Sequence, residues 1–110
     1  MKKKFLAEKG KQLRMTEPEV IQFIDLAFKL TDEQMPLLQQ AIDNGSYIEI
    51  QFISHRIKSN FLNLKFDHLG ALAQDINLAS FLKSDIQAIK RKFDQLKSGY
   101  AQLRAEVAEE

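Results

Sequence analysis

The feature that most limits what this chain can fold into lies near its C-terminus. Leu82, Ile86, Ile89, Phe93, Leu96, Tyr100, Leu103 and Val107 follow one another at alternating spacings of four and three. That alternation keeps one stripe of a helix apolar, as in a heptad seam. Over roughly 25 residues such a helix reaches about 40 Å at 1.5 Å per residue. A stripe of that length cannot be left to water, so other helices must cover it.

The rest of the chain supplies them. Thr16-Glu17-Pro18-Glu19 combines an N-cap threonine, a glutamate three residues on and a proline in the first turn, which together start a helix. Its apolar residues, Val20, Ile21, Phe23, Ile24, Ala27 and Phe28, form a face broad enough to be mostly covered. Thr31-Asp32-Glu33-Gln34 repeats the capping pattern, with Pro36 in or just past the first turn. A second helix is therefore expected there, carrying Met35, Leu37, Leu38, Ala41 and Ile42. Asn44-Gly45 marks a turn, and Ser46 can cap a third helix over about 47–65. A fourth, about 67–79, turns Leu69, Leu72, Ala73 and Ile76 inward, and the seam forms the fifth and longest. No segment has a strand period. Short connections make successive helices antiparallel. The expected architecture is all-α: an up-and-down antiparallel four-helix bundle, with an additional N-terminal helix (residues 17–30) covering one end or flank. A monomer is expected, with a coiled-coil dimer through the seam as the alternative.

Composition narrows the function. With 45% hydrophobic and 28% charged residues the chain has the balance of a globular domain. It has no cysteine, which excludes disulfides, thiolate metal sites and thiol nucleophiles. No apolar run approaches the roughly 20 residues of a membrane span, and Phe5-Leu6-Ala7 is too short for a signal-peptide core. A cytoplasmic protein is expected. Residues 1–15 hold six Lys/Arg against Glu8, a net of +5, while the remainder holds ten against fourteen acids, a net of −4. The fold itself is thus mildly acidic, which argues against nucleic-acid binding. Residues 1–15 read as a basic N-terminal arm or linker, and residues 16–108 as the domain.

The third helix has two faces. Ile50, Ile53, Ile57 and Leu64 line an apolar stripe. At about 100° per residue His55 falls roughly opposite Ile53 and Ile57. On its side lie Gln51 and Phe52 one turn back and Lys58 and Ser59 one turn on. Imidazole is a good nucleophile near neutral pH. If a ring nitrogen takes a phosphoryl group, Lys58 can offset the added charge and Ser59 can offer a hydroxyl. The alternative is a surface histidine that happens to precede a lysine. Other chemistries lack their parts: there is no Gly-x-Ser-x-Gly elbow, no phosphate-binding glycine loop and no paired histidine motif for a metal. His68 reads as an ordinary surface residue.

Ser54-His55-Arg56-Ile57-Lys58-Ser59-Asn60-Phe61-Leu62-Asn63-Leu64, followed by Leu69, Leu72 and Ile76, resembles the signature of histidine-containing phosphotransfer (HPt) domains. The resemblance implies a four-helix bundle with an exposed mid-helix histidine. Such a domain exchanges a phosphoryl group with the aspartate of a response-regulator receiver, which is free or part of a hybrid histidine kinase. It has no catalytic turnover of its own. It needs no cofactor, the Mg²⁺ being expected in the receiver. His55 matches the phosphoacceptor and Lys58 the lysine three residues on. Asn63-Leu64 matches a pair that usually precedes a glycine. Asn77 stands where family members place a polar residue that orients the imidazole, with Gln74 as the fallback. The family's docking surface maps onto Phe52 and Leu62, with Gln51 beside them and Met35 or Ile24 from neighbouring helices. A partly buried inter-helix contact is the other reading of Phe52. Two departures stand out: Ser59 and Lys65 occupy positions where the family usually has glycine. They motivate one alternative, a receiver-binding domain that takes no phosphate; the other is a non-catalytic helical interaction module that uses the long last helix to dimerise or dock.

Overall fold

In a computed structural model that describes residues 1–108, the chain forms five helices and no strand: α1 (Lys3–Leu13), α2 (Glu17–Asp43), α3 (Tyr47–Asn63), α4 (Asp67–Phe81) and α5 (Ile86–Val107). Helices α2 to α5 make the antiparallel bundle. The hairpin of α3 and α4 packs most extensively, with α2 on the far side of α3 and α5 bridging α4 and α2. Ile24, Leu38, Ile42, Ile50, Ile57 and Leu96 are fully enclosed between them. The seam is used here. Ile89, Phe93, Leu96, Tyr100 and Val107 are buried and Ile86 and Leu103 half-buried. No apolar stripe of α5 remains for a coiled-coil partner.

The largest departure from the expected layout is α2. The two helices expected over 17–30 and from Thr31 onward are one helix of 27 residues, the longest of the described residues, with Pro36 inside it. The first capping box forms as expected: Thr16 N donates to Glu19 Oε1 at 2.9 Å and Glu19 N to Thr16 Oγ1 at 3.4 Å. The second does not. Thr31 is wholly buried, and Thr31 Oγ1 and Gln34 Oε1 lack hydrogen-bond partners among the described residues. Tertiary packing takes over the turn that would have broken. The Tyr100 hydroxyl shares its one proton between Phe28 O at 3.1 Å and Asp32 Oδ1 at 2.8 Å. Arg104 Nη1 reaches both Asp32 oxygens, at 3.0 and 2.8 Å, and its guanidinium lies 4.5 Å above the Phe28 ring. A proline removes one helical bond and crowds the preceding turn; α5 grips that turn from outside.

The second departure is α1. Residues 1–15 are not a solvated arm; α1 itself is the additional helix covering the bundle. It buries Leu6, Lys9 and Gly10. Phe5 stacks on Phe66 at 6.3 Å, and Lys2 N donates to Val107 O at 3.2 Å. The Lys9 ammonium donates to Leu64 O at 2.9 Å and Lys65 O at 3.4 Å. A cation therefore caps the carbonyl end of α3, where the helix dipole favours one. Burial pushes this ammonium below the usual lysine range, with the Asp67 carboxylate working against that shift.

Helices α1 to α4 share one way of ending. In α3, Lys65 N donates to Leu62 O at 3.0 Å and Phe66 N to Phe61 O at 2.9 Å, with Lys65 at φ 57°. This is a Schellman motif, whose left-handed residue is usually glycine. Gly45 serves at the end of α2 (φ 65°), but Arg14 and Lys83 occupy the position after α1 and α4 (φ 57° and 53°). The Lys65 departure is thus a matter of turn geometry beyond the end of α3, ten residues from His55.

Two outcomes are expected. Lys65→Gly removes left-handed strain and should raise unfolding stability by about 1 kcal/mol in urea titrations. Tyr100→Phe should cost about 1–2 kcal/mol through lost hydrogen bonds. Burial alone would raise the Asp32 carboxyl, but the bonds from Arg104 and Tyr100 outweigh it and hold it below the usual carboxylate range. A carboxylate lowered on folding adds stability above its unfolded pKa of about 3.9 and loses it as pH falls through the folded value. The stability gap between wild type and Asp32→Asn should therefore be full at pH 7 and shrink below about pH 4.

Candidate functional site

α3 carries the site because its two faces are so unlike. Ile50, Ser54, Ile57 and Phe61 are buried. On the opposite face Ile48, Phe52, His55, Ser59 and Leu62 alternate spacings of four and three, a second seam that looks outward. His55 is exposed at its centre. Ile48 and Phe52 are 66% and 65% exposed, so Phe52 is presented rather than packed between helices. Leu62, two turns beyond His55, lies down across α4. A Cβ on Gly70 would stand 2.8 Å from Leu62 Cγ, so the absence of a side chain at Gly70 makes that approach possible.

Lys58 and Ser59 are half-buried on the next turn. Among the described residues no carboxylate lies in salt-bridge range of Lys58. Gln51, Phe52 and His55 join Ile48 and Asn77 around an open cavity of about 320 Å³. Asn77 was expected to orient the imidazole. It lines the same cavity as the ring, but its Nδ2 donates to the main-chain oxygen of Gln51 at 2.8 Å. Gln74, its fallback, is exposed on α4 and does not line this cavity. No group of three or more His, Asp or Glu able to hold a metal occurs among the described residues.

Two docking candidates from neighbouring helices do not hold their place. Ile24 is fully buried, and Met35 is half-buried against the core. Other apolar residues of α2 are exposed instead. Phe23, Leu26 and Leu30 on α2 are 43%, 49% and 37% exposed, and they line a second groove of about 320 Å³ with Asn60, Asn63 and Leu64 of α3. The broad face of α2 is thus only partly covered, which its residue pattern alone does not reveal. At the other flank Leu78, Phe81 and Leu82 are also exposed. Ile48 was legible: it stands seven residues before His55, on the same outward alternation.

The family model for the Hpt domain matches residues 22–106, from the second turn of α2 to the last turn of α5. The chain belongs to the Hpt domain family. Comparisons with curated proteins and with solved structures return no match. Membership defines the class: a phosphotransfer module of phosphorelays, of a family that interacts with response-regulator receivers and carries phosphoryl groups rather than turning over a substrate. Among the described residues no helix is long and apolar enough to cross a membrane.

The outward seam should carry receiver affinity. Phe52→Ala is expected to weaken binding of a cognate receiver about tenfold in calorimetry, as loss of an interface aromatic typically does. The helical circular dichroism should not change, because the ring is exposed.

Proposed function

We propose that this protein is a phosphocarrier, taking a phosphoryl group on His55 from a receiver aspartyl phosphate and passing it to another receiver. The observation that carries this reading is the exposed imidazole at the centre of the outward seam, with apolar residues at both ends of the seam and the unpaired Lys58 one turn away. A ring nitrogen attacks phosphorus with its lone pair. The phosphorus–oxygen bond to the aspartate breaks, its electrons return to the carboxylate, and a phosphorus–nitrogen bond forms. Lys58 offsets the negative charge that α3 gains. Mg²⁺ belongs to the receiver and neutralises the phosphoryl oxygens there. Phe52, Leu62 and Gln51 seat the receiver, whose body excludes water from the transfer. A cytoplasmic location goes with this reading, because that is where such receivers act. Free receivers and those of hybrid histidine kinases are both partners of suitable chemistry.

Ser59 favours one second reading, a domain that binds receivers without accepting phosphate. It puts a side chain on the seam, one turn from His55, where family members usually have none. Its half-burial leaves only part of that side chain in the path of a partner.

Incubation with a phosphorylated receiver and Mg²⁺ should give label that is acid-labile and base-stable. His55→Gln should abolish labelling and keep the helical spectrum. Lys58→Ala should slow transfer by about 10- to 100-fold, the loss of one charge-stabilising contact. No label with retained receiver binding selects the second reading, and an unfolded His55→Gln variant assigns His55 a structural part.

A further inference from the structure

Asn77 does something other than touch the imidazole. Its Nδ2 crosses from α4 to donate to Gln51 O at 2.8 Å, and the wholly buried Ser54 donates its hydroxyl to the same oxygen at 3.2 Å. Within α3 that carbonyl is also the helical acceptor for the N–H of His55. One oxygen, a turn before the histidine, is therefore shared by a helix bond, a local serine and an inter-helix amide. A carbonyl can only accept, so the amide's NH₂ end must face it and the orientation of Asn77 is fixed. On α4 the main-chain oxygen of Asn77 accepts the Ser80 hydroxyl at 2.7 Å, a bond to the backbone from which the amide extends.

We propose that Asn77 is a positioning residue for phosphotransfer, acting through the Gln51 carbonyl to hold the His55 turn of α3 in register with α4. The proposal rests on the phosphocarrier reading. Its physical basis is that the exposed apolar surface on this side of the bundle is built from both helices: Ile48 and Phe52 come from α3, Leu78 and Phe81 from α4. A receiver seated on that surface takes its position from both, whereas the nucleophile rides on α3 alone. In-line attack tolerates little misplacement, and an error of about 1 Å can cost a hundredfold in rate. Ser54 cannot supply the register, because its bond stays within α3. Among the described residues, the amide of Asn77 is the polar contact that ties the two helices at this turn.

The test compares wild type with Asn77→Ala and with the isosteric Asn77→Asp, which keeps the shape and loses the donor. Transfer from a phosphorylated receiver is measured in single turnover across receiver concentrations. Both variants should lose about tenfold in the rate at saturating receiver, with the half-saturating concentration unchanged within about twofold. The His55 amide should exchange with solvent faster in both. If Asn77→Ala fails to fold, Asn77→Asp carries the comparison. An unchanged saturating rate overturns the proposal. A loss confined to half-saturation also overturns it, making Asn77 a receiver contact instead. If wild type takes no label, the phosphocarrier reading fails on its own account. Amide exchange then decides the clamp: faster exchange at His55 upholds the register role, and unchanged exchange removes it.

Discussion

The grip of α5 on α2 is the constraint on which the bundle depends. Tyr100 and Arg104 converge on Asp32 and the Phe28 carbonyl, one and two turns before Pro36. Without that grip the chain has local reasons to stop at Thr31: a threonine, an acid and a glutamine placed to cap a new helix, then a proline. With it, the Asp32 side chain is held by α5. Burial and the Asp32 carboxylate raise the Tyr100 hydroxyl, which stays a neutral donor. The Thr31 and Gln34 oxygens, unpaired among the described residues, show that the continuous helix is kept against its own capping preferences. What compensates is apolar. Phe28, Phe61 and Tyr100 pack ring against ring at 5.8–5.9 Å in the space that the seam closes.

A continuous α2 gives α3 a long wall to lie along, and α4 closes the other side. Once Ile50, Ile57 and Phe61 are committed to that interior, the remaining face of α3 is determined by helical geometry alone. His55 then projects from the middle of a stiff element, with its backbone held by the core behind it and by an amide from α4 beside it. Rigid support of that kind suits the proposed phosphoacceptor, which would meet a partner's atom at bonding distance. The apolar residues around it run across three helices, so a partner meets a surface rather than a pocket.

The outward placement of His55 and Lys58 was legible because both follow from a period, and a period survives whatever the neighbours do. The helical class and the seam were legible for the same reason. Helix ends were harder. The ends of α1, α3 and α4 use the left-handed geometry that glycine marks, but with Arg14, Lys65 and Lys83 in its place. The expected ends of α3 and α4 and the start of α5 accordingly drifted by two to four residues. The Asn-Gly turn after α2, which does carry its glycine, was placed correctly. α1 was read as an arm because its residues show no sustained apolar period and Gly10 interrupts them, and because Lys9, which looks like a solvated charge, caps the end of another helix. The break expected at Thr31 failed for the opposite reason: a strong local signal was overruled by residues some seventy positions away.

The backbone bond between Lys2 and Val107 has a consequence for how the histidine is delivered. It brings both ends of the described fold to one pole, the pole at which α3 also ends. His55 sits nine residues back from Leu64, about 14 Å along the axis at 1.5 Å per residue. Any tether joined at either end would swing from nearly the same pivot. The effective concentration of the imidazole at a receiver on the same chain would then depend on tether length and stiffness, and very little on which end was joined.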